Sequence, residues 1–204
     1  MENHLNFDDI ALEYETWYYT PKGKYFAKLE KDAIFEAMKP KKGNTLLDIG
    51  CGTGYFSYYF NSLGLRVTGI DSSQKMLNVA KNKGENIEFV QSDAHKLNYQ
   101  DNSFDITTMI TSLEFCQKPE DVIREAYRVT KEKLIMVVLN KFSWLNIERM
   151  FKRTSIYKKA KFYSPWELKR LINNTLHNSD FKIKSPLSAF LLCKIEKKID
   201  YPPV

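Results

Sequence analysis

The feature that most constrains this chain is a cluster of glycines near residue 50. The sequence contains only eight glycines in 204 residues, yet Gly50, Gly52 and Gly54 fall within five consecutive positions. They lie in the sequence LLDIGCGTG, residues 46–54, directly after a short apolar run. Glycines let a backbone turn sharply and approach a ligand closely. A following helix would add free N–H groups at its start. The pattern predicts a ligand-binding turn between a strand and a helix.

Short apolar runs alternate with helical stretches after residue 44, which is typical of βα units and a parallel sheet. The expected strands are Thr45–Ile49, Arg66–Ile70, Ile87–Gln91, Phe104–Ile110 and Lys133–Leu139. The expected helices are residues 1–40 in part, Tyr55–Ser62, Ser73–Lys81, Pro119–Val129 and one that begins with a capping box at Ser164. Phe181–Lys184 and Phe190–Ile195 are expected to pair, which would make the last strand antiparallel.

The acids around the glycines indicate which ligand is bound. Asp71 ends the second expected strand, 17 residues after Gly54, where a carboxylate can accept hydrogen bonds from two ribose hydroxyls. A dinucleotide site requires G-x-G-x-x-G. Here the spacing is G-x-G-x-G, with Tyr55 where the third glycine should fall and Asp48 two residues before the first. The sequence therefore predicts an adenosine-containing ligand that is not a dinucleotide.

Composition narrows the class of protein. The length is about that of one domain, and 43% apolar with 27% charged residues indicates an ordinary globular chain. No apolar run approaches the roughly 18 residues of a membrane span, and the polar N-terminus shows no secretory signal. Three widely spaced cysteines suggest neither a disulfide framework nor a metal site. We expect a cytoplasmic protein without a structural metal.

These motifs resemble those of the class I S-adenosylmethionine-dependent methyltransferases. DIGCGTG followed by GIDSS carries the likeness, and GIDSSQKMLNVAK, SDAHKLNYQDNSFD, REAYRVTKEKLIMVVLN and YSPWELKRLI extend it over residues 44–195. The sequence pattern is most similar to that of the small, single-domain "type 11" group. The resemblance implies an α/β, Rossmann-like, seven-stranded, mostly parallel sheet with an antiparallel last strand and helices on both faces.

The resemblance also implies an organisation of the chain. Residues 1–204 would be one domain, with an N-terminal helical lid at 1–40 and a cofactor-binding core at 44–139. A substrate-lid insertion at 140–163 would precede a final helix and strand pair at 164–195.

The resemblance assigns the cofactor S-adenosylmethionine, with S-adenosylhomocysteine as product, to the glycine turn. The backbone of the turn would lie beside the methionine part of the cofactor at Gly50, Cys51, Gly52 and Gly54. Asp48 would help to hold the ammonium group, and Asp71 would bind the ribose hydroxyls.

The adenine side is assigned in the same way. Ser72 and Met76 would lie beside the ring, Asp93 would accept a hydrogen bond from its amine, and Ala94 would stack near it. Met76 could instead be an ordinary core residue, and Asp93 could be a turn residue.

Three further positions complete the cofactor set. Ile110 and Thr111, at the end of the fourth strand, would lie under the methionine chain, and Tyr14 would reach the carboxylate. Packing alone is the alternative for Tyr14. The chain departs from the family by lacking a histidine at 113–115, a common candidate for a base.

Methyl transfer from a sulfonium requires mainly that the nucleophile be held in line with water excluded. Glu114 and Tyr18 are the candidates for a catalytic group, although a solvated or salt-bridged carboxylate is an equal interpretation of Glu114. Aromatic faces exclude water and attract a sulfonium. We therefore expect a substrate lid of Trp17, Tyr18, Tyr19, Phe142, Trp144, Phe162 and Tyr163, with ordinary core packing as the alternative.

Three functions remain open from the sequence. The favoured one is methylation of a small molecule, because about 50 residues outside the core suffice for a lid and not for a recognition domain. An RNA methyltransferase is the second, because residues 131–200 carry 16 Lys/Arg against 6 Asp/Glu and the region 149–170 is especially basic. The third is a non-catalytic protein that binds S-adenosylmethionine. The oligomeric state is not predicted.

Overall fold

The computed structural model describes residue 7, residue 11 and residues 15–84, 86–151, 157, 160–177, 179–185 and 189–197, with the side chains of 148–151 excepted. The strands are β1 (Thr45–Ile49), β2 (Arg66–Asp71), β3 (Glu88–Gln91), β4 (Phe104–Ile110), β5 (Thr130–Leu139), β6 (Asp180–Lys184) and β7 (Phe190–Glu196). The helices are α1 (Thr16–Tyr19), α2 (Pro21–Met38), α3 (Tyr55–Ser62), α4 (Gln74–Lys81), α5 (Pro119–Val129), α6 (Trp144–Phe151) and α7 (Pro165–Thr175), and Leu113–Phe115 form a short 3₁₀ turn.

The strands form one sheet in the order β3-β2-β1-β4-β5-β7-β6. Strands β1 to β5 are parallel, and β7 lies antiparallel between β5 and β6. The sheet reverses its order between β1 and β4, which is the position where ligands bind at the carboxyl ends of the strands in such folds. The expected seven-stranded, mostly parallel architecture is confirmed.

Each face of the sheet has its own core, because neighbouring side chains in a strand point to opposite faces. In β1, Leu47 packs with α5 and α7, whereas Leu46 packs with α2, α3 and α4. Strand β5 is buried from Leu134 to Leu139 and contributes to both cores. The sheet is therefore covered on both sides, and its carboxyl edge is left for a site.

Several boundaries differ from the expectation by one residue and two differ by more, each of the two with a local cause. Residues 16–38 form two helices, because Thr20 is extended and caps α2 by accepting a hydrogen bond from the Gly23 amide. Strand β5 begins at Thr130 instead of Lys133, directly after α5. The Thr130 hydroxyl donates to the Ala126 carbonyl at 2.6 Å, which joins helix to strand without a loop. Within the described parts of the chain, no helix combines the length and apolarity needed to cross a membrane.

Candidate active site

A cavity of about 390 Å³ opens at the carboxyl edge of β1, β2 and β4. Its position is the one predicted from the glycine turn, and its volume lies within the usual range of small-molecule sites. Four groups of residues line it: the glycine turn, the segment after β2, the segment after β3 and the segment after β4. Each wall thus follows a different strand.

The glycine turn closes against the segment after β4. Gly50 has φ 70°, and its amide donates to the Ile70 carbonyl at 2.8 Å. A Cβ at Gly50 would lie 2.5 Å from Cβ of Ser112, whose hydroxyl donates to the Ile49 carbonyl at 3.0 Å. Only a glycine fits in this conformation and this space. The cavity wall here is backbone, as a closely approaching ligand requires.

The other end of the turn is a packing site. Gly54 has φ 81° and precedes α3. A Cβ there would come within 2.9 Å of the Phe89 ring. The Cys51 thiol also points toward this region, close to Gly69. Unlike Gly50 and Gly52, neither Cys51 nor Gly54 is among the residues that line the described cavity.

Asp71 links the turn to the start of α4. Its Oδ2 accepts from the Gly52 amide at 2.8 Å and its Oδ1 from the Ser73 amide at 2.9 Å. These bonds fix the orientation of a carboxylate that lines the cavity. A carboxylate offers about four acceptor sites on its two oxygens, which suits a ligand that carries two neighbouring hydroxyls.

Asp48 does not line the described cavity. Its carboxylate is buried below the turn, where it accepts from the Ser57 hydroxyl at 2.6 Å and the Thr108 hydroxyl at 2.8 Å. Burial raises the pKa of Asp48 to about 6, although both hydrogen bonds oppose that shift. Its observed contacts join β1, α3 and β4.

The segments after β2 and β3 form a side wall. Ser72, Met76, Asp93 and Ala94 all line the cavity, as the sequence predicts. His95 also lines it, and its Nδ1 lies 2.7 Å from Oδ1 of Asp93. The hydrogen bonds from the His95 backbone and ring hold the pKa of Asp93 below its usual range. This histidine partner was not predicted.

The segment after β4 supplies the floor. Thr111 lines the cavity with φ 48°, a left-handed conformation that is uncommon for a β-branched residue. Its amide donates to the Val137 carbonyl at 2.8 Å, which holds it there. Ile110 is buried and absent from the described lining, whereas Met109 takes part in it. Ile110 and Thr111 were predicted to form this floor, and the structure places Met109 and Thr111 there instead.

Two aromatic rings meet at the outer part of the cavity. Phe7 and Phe115 lie edge to face with their centroids 4.9 Å apart, and both line the cavity. Cys116 and Gln117 continue this wall. None of these four lining residues was predicted from the sequence. Phe7 lies in a segment without a motif, and nothing in the residues at 113–115 indicates which of them faces the cavity.

Glu114 points away from the cavity. Its Oε1 accepts from the Leu139 amide at 2.6 Å, and its main-chain carbonyl accepts from Lys161 at 2.8 Å. Burial raises the pKa of Glu114 to about 7. Its Oε2 and the buried Tyr163 hydroxyl have no hydrogen-bond partner among the described residues. Glu114 therefore braces the turn that carries Phe115, and it does not line the described cavity itself.

The N-terminal segment is fastened to the glycine turn. Glu15 is buried, accepts from the Thr53 hydroxyl at 2.5 Å and forms an ion pair with Lys83. Lys83 also donates to the Thr53 carbonyl at 2.8 Å. Beside this contact, Tyr18 stacks on Tyr55 with centroids 4.0 Å apart. Tyr14 lies outside the described residues, so its predicted contact stays a prediction.

None of the seven aromatic residues of the expected lid lines the described cavity. Trp17 and Tyr18 are half-buried over α3, and Tyr19 is exposed. Phe162 and Tyr163 are core residues, whereas Phe142 and Trp144 project into solvent. The aromatic pair that does line the cavity is Phe7 and Phe115.

The walls fit S-adenosylmethionine. Gly50 and Gly52 present a wall without side chains to the cavity, which a ligand chain can approach closely, and the oriented Asp71 carboxylate suits ribose hydroxyls. The fold and this site define a class I S-adenosylmethionine-dependent methyltransferase. The family model described as a methyltransferase domain matches residues 47–138, and the chain belongs to that family.

Comparison with known proteins agrees with this assignment. An uncharacterised protein of Methanocaldococcus jannaschii is 31% identical over 79% of this chain and 76% of its own length. A demethylmenaquinone methyltransferase of Renibacterium salmoninarum is 33% identical over 61% of this chain, which spans only 52% of that relative. A Thermotoga maritima crystal structure, titled a possible histamine N-methyltransferase, is 26% identical with a TM-score of 0.72, covering 94% of this chain and 98% of that one.

Proposed function

We propose that this methyltransferase acts on a small acceptor that is uncharged or cationic. The proposal rests on a single cavity that is lined by two sets of residues. The glycine turn, Asp71 and the Asp93 segment form one set, and Phe7 with Phe115 forms the other. A cavity of about 390 Å³ bounded in this way suits a cofactor and a compact acceptor.

The first set of walls would hold the cofactor. Gly50 and Gly52 would lie along its methionine part, and Asp71 would accept from the ribose hydroxyls. Ser72, Met76 and Ala94 would flank the adenine, with Asp93 oriented beside it by His95. Thr111, held in its left-handed conformation, would support the end nearest the transferred methyl group.

The charge of the cavity favours the proposed acceptor class. Asp71 and Asp93 line it, and no lysine or arginine does so among the described residues. An anionic acceptor would lose hydration and face two carboxylates, with no lysine or arginine among the described lining residues and only the sulfonium of the cofactor to compensate its charge. Two relatives are named for acceptors of the proposed class, a demethylmenaquinone methyltransferase and a possible histamine N-methyltransferase, whereas another is named a malonyl-acyl-carrier-protein O-methyltransferase.

The chemistry requires positioning more than proton transfer. When bound, S-adenosylmethionine would supply an electrophilic methyl carbon. The acceptor would form a bond to that carbon as the carbon–sulfur bond breaks, with S-adenosylhomocysteine as the leaving group. Phe7 and Phe115 would exclude water from that line, and their ring faces would favour a nearby cation. Glu114 would act by holding Phe115 in place.

Calorimetry with S-adenosylmethionine and S-adenosylhomocysteine tests the cofactor assignment. We expect Asp71→Ala to weaken both by at least about a hundredfold, because two hydrogen bonds to a charged group contribute about 1.5–3 kcal/mol each. Asp121→Ala is the matched control, since Asp121 pairs with Arg124 on the exposed part of α5. Unchanged affinity in Asp71→Ala with a native melting profile would refute the site.

An acceptor screen that measures S-adenosylhomocysteine tests the acceptor class. Amines, phenols and quinols should support turnover, and carboxylates and phosphate esters should not. Phe115→Ala should then lower kcat for an accepted compound more than it weakens cofactor binding, with Phe35→Ala on exposed α2 as control. Turnover of phosphate esters alone would contradict the proposed acceptor.

A further inference from the structure

Three large aromatic side chains are exposed near the carboxyl end of β5. Phe142, Trp144 and Trp166 are 54%, 81% and 65% exposed, and we call them the exposed aromatic cluster. The rings of Phe142 and Trp166 contact each other with centroids 5.1 Å apart, although 24 residues separate them in sequence. Exposed aromatic rings in contact with each other, unlike single exposed apolar residues, are a candidate interaction surface.

The backbone that carries this cluster is well fixed. Asn140 and Tyr163 form a parallel bridge, and the Lys141 amide donates to the Tyr163 carbonyl at 2.9 Å. The capping box of Ser164 and Glu167 then starts α7 and directs Trp166 toward Phe142. The outward rings are thus presented by ordered contacts on both sides.

A buried asparagine sets the orientation of Trp144. Asn146 is fully buried, and its amide donates to the carbonyls of Asn140 at 2.9 Å and Ala189 at 2.7 Å. Ser143 is buried as well. Because these polar side chains occupy the inner face at the start of α6, Trp144 is left on the outer face.

The chain around the cluster is strongly basic. Residues 141–170 contain nine Lys/Arg and two Asp/Glu. One of the acids, Glu167, already pairs with Lys141 at 3.3 Å. Lys161, Lys169 and Arg170 are exposed. Aromatic and positive groups therefore share one stretch of chain that the proposed cavity does not use.

We propose that the exposed aromatic cluster docks this enzyme on the surface of an anionic lipid bilayer. Tryptophan favours the headgroup region, where its apolar ring and polar N–H are both accommodated. Each lysine or arginine near an anionic surface adds attraction. An RNA strand would fit less well, because Phe142 and Trp166 pack on each other and do not present separate faces for successive bases.

Docking there would bring the active-site edge of the sheet near the bilayer. The cluster follows Leu139, the last residue of β5, at the same carboxyl edge as the cavity. The Lys161 amide joins this region to the turn after β4 through the Glu114 carbonyl. An acceptor dissolved in the membrane would therefore reach the cavity without crossing the whole protein surface.

Vesicle sedimentation of the full chain tests the proposal. We compare phosphatidylcholine vesicles with vesicles that also contain phosphatidylglycerol, at low and high salt. Binding should be at least about tenfold tighter to the anionic vesicles, because two lysines near the surface suffice for that difference. High salt should reduce the difference.

Variants locate the contact. Trp144→Ser with Trp166→Ser should weaken binding to the anionic vesicles by at least about tenfold. Tyr25→Ser is the matched control, because Tyr25 is 61% exposed on α2, outside the cluster. Calorimetry with S-adenosylhomocysteine checks that every variant is folded. Brominated lipids should quench the fluorescence of Trp144 and Trp166 and spare Trp17, measured in single-tryptophan variants.

Three outcomes overturn the proposal: equal binding to both vesicle types, equal losses in the Tyr25 control, or binding of single-stranded RNA with no binding of vesicles. Any of them leaves the methyltransferase assignment intact, because cofactor binding is measured without lipid. Conversely, vesicle binding by a protein that failed to bind S-adenosylmethionine would refute the proposed function alone.

Discussion

The two sides of the cavity are built differently. The side with the glycine turn is mostly backbone, and Gly50 lies there without room for a side chain. Another part of the wall is formed by Phe7, Phe115, Cys116 and Gln117. A backbone wall requires one residue type at fixed positions, whereas a side-chain wall can be built by many combinations. The first should therefore fail completely on single changes, and the second should alter selectivity.

The largest effect should follow Gly50→Ala. A side chain at φ 70° costs about 1–2 kcal/mol, and the contact with Ser112 adds overpacking of about 1–3 kcal/mol. We expect an unfolding free energy lower by about 2–5 kcal/mol and no measurable cofactor binding, checked by chemical denaturation and calorimetry.

Gly43→Ala separates the two contributions. Gly43 has φ 85°, and a Cβ there would meet nothing within 4 Å. The unfolding free energy of this variant should fall only by the cost of placing a side chain at positive φ, and its affinity for the cofactor should be unchanged. If both variants lose the same stability and both bind the cofactor, the comparison between the two walls is wrong.

Glu114→Gln should change how stability depends on pH. Burial raises the pKa of Glu114 from 4.5 to about 7. Over that interval the folded state binds more protons than the unfolded state, so the unfolding free energy falls as pH rises. Between about pH 5 and pH 8, the unfolding free energy of the glutamine variant should fall by up to about 3 kcal/mol less than that of the unmodified protein.

Asp48 contributes to the same trend at lower pH, since its pKa is raised to about 6, and its contribution stays in the variant. Glu36→Gln on the exposed surface of α2 is the control, and its profile should match that of the unmodified protein. Parallel profiles for Glu114→Gln and the unmodified protein would contradict the buried position of this carboxyl.

The smallest effect should follow Glu15→Gln. Glutamine keeps an acceptor for Thr53 but loses the ion pair with Lys83. We expect cofactor affinity to fall by about threefold to tenfold, since a partly buried pair of this kind contributes about 1 kcal/mol. Asp32→Asn breaks the exposed pair with Lys28 and should change nothing measurable. Equal effects of the two variants would show that Glu15 does not fasten the turn.

Much of the fold could be predicted, because its signals are local. The glycine turn, the cap of α4 by Ser73 and the capping box at Ser164 each reside in a few neighbouring residues. The early start of β5 was missed, since it depends on Thr130 bonding back to Ala126. Residues 130–132 lie outside the predicted strand, because the polar and charged side chains there conceal its start.

The site was predicted best where backbone conformation or a carboxylate sets it. Asp71 was predicted from its position at the end of the second strand and Asp93 from the family resemblance, and both line the cavity. The burial of Asp48 was not predicted, because its partners Ser57 and Thr108 are distant in sequence. Phe7 and Ser112 were missed for the same reason, as each becomes a wall only when separate segments meet.

The position of β7 has a consequence for how the protein is made. Strand β7 pairs with β5 from Lys133 to Leu139, yet it leaves the ribosome about fifty residues after β5 ends. At a synthesis rate of about 5–20 residues per second, the apolar edge of β5 stays without its neighbouring strand for roughly 3–10 s. During that time a nascent chain carries an open parallel sheet that another chain could extend. Slower synthesis through residues 140–190 should therefore lengthen the time for which the edge of β5 can pair with another chain.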